Sequence, residues 1–251
     1  MSNRYIFTYA IVMIVIVAAL LSTAATLLKP YQQANERAAK MVEILKSFGV
    51  EASRSEAEAM FNKYIEEEMA ITPSGEVVTL YRQGKKVSGK DLRPFEIDLK
   101  KELKKYQAGE EAVFPLYKAK KDGKTFYIIP LYGKGLWGPI WGYMALEDDL
   151  TTVYGVTFGH KSETPGLGAE IDKPAFQAQF KGKKIWNDKG EFTPVDVVKG
   201  GVQNLPPEKQ VHSVDGISGG TLTSNGVDAM IENILYIYKP FLEKQRRALQ
   251  S

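Results

Sequence analysis

TFYIIPLYGKGLWGPIWGYMALEDDLTTVYGVTF, residues 125–158, decides the fold class. Residues 126–132, 140–146 and 151–158 are three runs rich in β-branched and aromatic side chains, separated by short glycine-rich or acidic connections. Connections this short join antiparallel neighbours, so the stretch predicts a β-meander. Toward the C-terminus, residues 171–180 read as a short helix, and 184–186 and 195–198 as further strands. Val227, Met230, Ile231, Ile234, Leu235 and Tyr238 then recur at helical spacing in an amphipathic helix expected to halt near Pro240. The basic tail Lys244-Gln245-Arg246-Arg247 reads as a helix end. Toward the N-terminus, residues 91–125 are lysine-rich and weakly periodic and read as a solvated face with loops. A helix is expected from near Ser55, through Met60, Phe61, Tyr64 and Ile65, to about Met69, followed by a turn at Thr72-Pro73-Ser74-Gly75. Before it, Ala38, Met41, Val42, Leu45 and Phe48 mark a helix over 32–48 that Gly49 ends. The pattern is α+β: an antiparallel sheet with flanking helices.

Residues 6–28 contain no charge, and as a helix these 23 residues span roughly 34 Å, enough to cross a bilayer. A cleaved signal peptide with Ser22-Thr23-Ala24 as its processing site is the competing reading. The anchor is preferred because the apolar run continues to Leu28 and only Arg4 precedes it. Lys29, Arg37, Lys40 and Lys46 follow the span, so the positive-inside rule alone would favour a cytoplasmic domain, although that rule is weak ahead of a long translocated domain.

The 251 residues carry 44% hydrophobic and 25% charged side chains, which excludes a disordered chain, a collagen-like repeat and a multi-span transporter. A net charge of +3 does not mark a nucleic-acid binder. With no cysteine and only His160 and His212, disulfides, iron–sulfur ligation and thiolate zinc are excluded, and no metal site is expected. Any redox chemistry must come from another cofactor.

Three motif matches fail on context. Gly133-Lys134-Gly135-Leu136-Trp137-Gly138 fits G-x-G-x-x-G, but Pro139 and a β-like run follow where a dinucleotide site needs a helix. Gly216-Ile217-Ser218-Gly219-Gly220 fits G-x-S-x-G, yet no histidine follows Ser218, so the hydrolase triad order is broken. Gly123-Lys124-Thr125 resembles a P-loop ending, with Lys118 where its first glycine belongs.

Residues 215–226, DGISGGTLTSNG, place four hydroxyls and four glycines directly before the C-terminal amphipathic helix. Such a lead-in suits a phosphate, because glycines allow close approach of backbone N–H groups, hydroxyls donate, and the helix start favours an anion. A helix cap with a flexible lead-in explains the same composition, and composition alone favours that plainer reading.

Asp215-Gly216-Ile217-Ser218-Gly219-Gly220-Thr221 resembles the flavinylation motif D-x-x-S/T-G-A-T, whose last threonine carries FMN through a phosphoester installed from FAD by a flavin transferase. His160-Lys161-Ser162-Glu163-Thr164-Pro165-Gly166-Leu167-Gly168 is similar to the H-x-x-E-T-P-G-L-G element that borders the flavin ring in the same family. With the N-terminal span, the 38–48 helix, the 61–71 segment and GLWGPIWGY at 135–143, the resemblance covers nearly the whole chain. It points to the C subunits of the sodium-translocating NADH:quinone oxidoreductase, Nqr. Their sister, the G subunit of the Rnf complex, shares both flavin motifs but is less similar at 135–143 and around Phe61. A non-redox, membrane-anchored binding or assembly domain is the rival of another class.

The resemblance implies covalent FMN on Thr221, with Asp215, Ser218, Gly219 and Gly220 around the attachment. It implies Glu163, Thr164, Gly166, Leu167, Gly168 and Trp137 beside the ring, and no residue catalytic in itself. It further implies a single-pass protein of the bacterial inner membrane with a periplasmic flavin domain. The chain would work with the other Nqr subunits and be matured by a flavin transferase. The division expected is a tail at 1–5, a span at 6–28, a mixed helical part at 29–120 and an FMN-binding domain at 121–251. Gly220 departs from the motif's alanine.

Overall fold

The structure, a computed structural model, describes residues 3–250. Helix α1, Asn3–Ser47, runs uninterrupted through Pro30. Along 6–28 it is exposed and long and apolar enough to cross a membrane, whereas Met41, Ile44 and Leu45 near its end are buried against the rest of the chain. Helix α2, Ala57–Tyr64, is shorter than its pattern predicted. Glu56, not Ser55, stands at its N-cap, and no side chain caps the helix; the Glu56 carboxylate accepts instead from the preceding Ser53 N–H at 3.1 Å.

Residues Ile65–Ile71 form strand β1 instead of continuing that helix. The turn at 72–75 leads into β2, Val77–Arg82, and β2 pairs with β3, Lys85–Gly89. Two of the β1 glutamates, Glu67 and Glu68, pair with arginines distant in sequence. Arg82 Nη2 lies 2.7 Å from Glu67, and Arg93 forks onto the buried Glu68 at 2.6–3.0 Å. Partners that distant in sequence override a local helical pattern.

The lysine-rich stretch is also more ordered than expected. It contains helix α3, Leu99–Gln107, capped by Asp98, and strand β4, Phe114–Lys121. Phe114, Leu116, Tyr117 and Ala119 are all buried because helices cover both faces of the sheet, so β4 shows no apolar–polar alternation.

Strands β5 (Lys124–Lys134), β6 (Pro139–Leu146) and β7 (Val153–His160) form the expected meander and complete a seven-stranded sheet of order β3-β2-β1-β4-β5-β6-β7, with every adjacent pair antiparallel. The boundary expected at 120/121 falls at the end of β4, which pairs with β5 as far as Lys121↔Lys124.

Beyond β7 the expected 171–180 helix is divided. Pro174 holds Lys173 in an extended conformation (ψ 145°), leaving 3-10 turns at Gly168–Asp172 and Ala178–Phe180 around the short α4, Pro174–Gln177. Residues 184–186 make only the isolated bridges Thr152↔Lys184 and Trp186↔Phe192. Strand β8, Asp196–Val198, pairs in parallel with β9, Ser213–Asp215, across α5, Pro207–Gln210. Helix α6, Thr221–Gln250, passes through Pro240 because Tyr238, Phe241 and Leu242 bury its face on both sides of the proline. Ile129, Leu131 and Met144 share one core with α6, while Tyr117, Ile128 and Ala145 share the other with α1 and α2. The sheet is thus sandwiched, and α6 begins at the β5–β6 hairpin.

Candidate functional site

Strand β9 delivers the 215–224 segment to the start of α6. Asp215 Oδ1 accepts from the Val202 N–H at 2.5 Å, and its own N–H donates to Gln179 Oε1 at 2.9 Å. The carboxylate therefore fixes the 199–202 loop. Gly216 donates to the Val198 carbonyl at 2.8 Å, and Gly219 takes a positive φ of 75° that favours glycine.

The hydroxyls divide into two kinds. Thr223, 2% exposed, and Ser224 are buried and engaged: Thr223 donates to Glu163 Oε2, and Ser224 Oγ accepts from the Ile217 N–H at 2.9 Å. Ser218 is exposed and Thr221 half-buried, and neither hydroxyl has a hydrogen-bond partner among the described residues. Both line a cavity of about 310 Å³ whose opposite wall includes Val198, Lys199 and Gly200. Its lining holds no carboxylate, and the first N–H groups of α6 are free of helical acceptors. An unpaired hydroxyl, a lysine and a helix start fit a phosphate ester at Thr221.

The second motif folds against the first. Glu163 is 4% exposed, with Oε1 accepting from the Trp137 N–H at 2.9 Å and Oε2 accepting from Thr223 Oγ1 at 2.5 Å. His160 Nδ1 accepts from the Glu163 N–H at 3.2 Å, and its Nε2 faces Asp172 at 3.5 Å. Gly168 is required here, since a Cβ on it would collide with Thr223 Oγ1 and lie 2.6 Å from Glu163 Oε2. Leu167, 42% exposed, lies over Gly219, where an added Cβ would come within 2.7 Å of its Cδ2.

Geometry thus unites Trp137, Glu163, Leu167 and Gly168 with Gly219 and Gly220. Thr164 and Gly166 sit at the exposed tip of the turn, whose Thr164 carbonyl accepts from the Leu167 and Ala169 N–H groups. None of this turn lines the cavity beside Thr221. Glu163, expected beside the flavin ring, is a buried clasp between the Trp137 N–H and the Thr223 hydroxyl. Sequence reasoning passes over Thr223 and the Lys199-Gly200 wall. It also passes over Leu136 and Leu222, exposed apolar side chains beside Trp137 and Thr221. A threonine in a hydroxyl-rich lead-in carries no mark of a partner 60 residues away. At Gly220, where the motif has alanine, a Cβ would sit 3.0 Å from Ile217 Cγ2 and 3.2 Å from the Leu167 carbonyl carbon, so both neighbours would have to give by a few tenths of an ångström.

The model of the FMN-binding domain family matches residues 135–236, the span holding both motifs. Over 238 residues the chain is 34% identical to the C subunit of the Na(+)-translocating NADH-quinone reductase of Vibrio campbellii, covering 90% of this chain and 89% of that protein. The chain belongs to this NqrC family. Family members of known structure agree in fold. The crystal structure of the Parabacteroides distasonis member superposes with a TM-score of 0.71 at 42% identity, covering 86% of this chain and 96% of that one. That of Shewanella oneidensis NqrC gives 0.65 at 28%, covering 84% and 98%. Membership in the NqrC family selects the Nqr side of the resemblance over Rnf.

Proposed function

We propose that this chain is the electron-transfer subunit of a sodium-translocating NADH:quinone reductase and carries FMN as a phosphoester on Thr221. The observation that carries the proposal is the sorting of hydroxyls. Thr223 and Ser224 are buried and hydrogen-bonded, whereas Ser218 and Thr221 are unpartnered in the cavity that Lys199 lines, and of these two Thr221 is the one at the helix start. In the modification, Thr221 Oγ bonds to the phosphorus of the FMN half of FAD as AMP leaves, and the hydroxyl proton passes to a base of the flavin transferase. FMN when bound supplies one-electron redox chemistry, which a chain without cysteine cannot provide itself.

The protein's own part is to position. Glu163 ties the Trp137 hairpin to the first turn of α6, and Leu167 covers Gly219. Exposed Leu136, Trp137, Leu167 and Leu222 give the isoalloxazine an apolar bed outside the cavity. Residues 6–28 anchor the chain in the bacterial inner membrane with the domain in the periplasm, and partner subunits carry NADH oxidation, quinone reduction and sodium passage.

In-gel fluorescence of the denatured chain, co-expressed with the transferase, tests the attachment. Fluorescence is expected from the native sequence and absent from Thr221→Ala. A dark native band would support a non-redox anchored domain instead. A C-terminal reporter active only in the cytoplasm would overturn the periplasmic placement.

A further inference from the structure

A second cleft opens beside the flavin site, between α3 and α6, floored by strand β5. It encloses about 600 Å³, and its apolar part includes Leu103, Pro139, Met230 and Ile234. Lys100, Lys104 and Lys134 stand on its rim. No carboxylate lines the cleft, and none of the three lysines has an ion-pair partner among the described residues. Their helical neighbours differ: Lys101 pairs with Asp98 and Lys105 with Glu102. The walls are set by close backbone packing. A Cβ on Gly133 would meet Met230 Cβ at 2.7 Å, and one on Gly226 would meet the Lys134 carbonyl oxygen at 2.5 Å. Gly138 follows Trp137 and Gly226 follows Asn225, which lines the cavity beside Thr221, so the cleft adjoins the candidate flavin site.

We propose that this cleft is the docking site for an acidic amphipathic segment of another subunit of the complex. Two features require such an occupant together. An apolar groove between two helices accepts the apolar face of a third, and three uncompensated lysines around it select carboxylates on that segment's flanks. Continuity with Trp137 and the start of α6 brings the segment beside the proposed flavin, where an electron donor or acceptor must approach. The inference therefore rests on the reading of the chain as a reductase subunit.

A photo-activatable residue at Asn233, exposed on the α6 wall, tests this in the full chain within native membranes that contain the other subunits. The expected product is a crosslink to another subunit, through a peptide with carboxylates flanking an apolar face. Its yield should fall about tenfold in Lys100→Glu/Lys104→Glu/Lys134→Glu and recover when the captured carboxylates are replaced by lysine. A lipid adduct, a peptide without carboxylates, no crosslink, or a yield indifferent to charge reversal would each overturn the docking site. Flavin fluorescence and co-purification, read from the same sample, report separately on folding and on the subunit assignment.

Discussion

Thr223 donates its hydroxyl hydrogen to Glu163 Oε2 at 2.5 Å across 60 residues of sequence, joining the two motifs by a side chain from each. Glu163 Oε1 simultaneously accepts from Trp137, so one buried carboxylate holds three chain segments. Thr223→Val should leave that carboxylate short of a donor and destabilise the domain by about 1–3 kcal/mol, while Thr223→Ser should restore most of the loss. Urea denaturation of the full chain in detergent measures both. Equal losses in the two variants would mean that the threonine methyl, not its hydroxyl, matters.

Gly168 and Gly166 separate close packing from backbone freedom. Gly168→Ala drives a methyl group into the clasp and should cost about 3 kcal/mol. Gly166 has a φ of +74° with open space around it, so Gly166→Asn, which tolerates that conformation, should cost less than about 1 kcal/mol. Thermal unfolding ranks them, and the reverse order would contradict the described packing.

Lys40 predicts a pH dependence away from the flavin site. Its amino group bonds the Phe95 carbonyl, and burial lowers its pKa to about 8, against nearby Glu96 and Glu68, which raise it. Between about pH 8 and its unfolded value of 10.5, the unfolded chain binds more protons at this residue. This group's contribution therefore makes stability rise with pH across that window. Lys40→Met should remove that rise, read as the difference between the two stability curves from about pH 8 to 9.5. Parallel curves would show that Lys40 titrates at its ordinary pKa.

Leu167→Asp is the test of the ring's resting place. Leu167 is partly exposed, so the fold and the Thr221 adduct should survive with a stability change within about 0.5 kcal/mol. A charge beside the isoalloxazine should shift its absorption and reduction potential. An unchanged spectrum and potential in a folded, flavinylated variant would place the ring away from this turn.

Those parts of the chain whose signal is local are legible in its sequence. The β5–β7 meander announces itself through runs of β-branched and aromatic residues, and α6 through its apolar stripe. Strand β1 imitates a helix because Glu67 and Glu68 find their partners, Arg82 and Arg93, on other segments. Pro240 reads as a stop, although burial of Tyr238, Phe241 and Leu242 carries the helix past it. At the site, motif matching locates both segments but not the Thr223–Glu163 bond, which exists only after folding brings them together.

Attachment of the flavin comes down to one oxygen atom, Thr221 Oγ. Trypsin should release residues 210–244 as one peptide, because Pro240 protects the bond after Lys239. Fragmentation mass spectrometry of that peptide, from chain co-expressed with a flavin transferase, locates the adduct to a single residue. The expected spectrum places an FMN phosphoester on Thr221 and leaves Ser218, Thr223 and Ser224 unmodified. Flavin on Thr223 or Ser224, or an adduct that persists in Thr221→Ala, would contradict it.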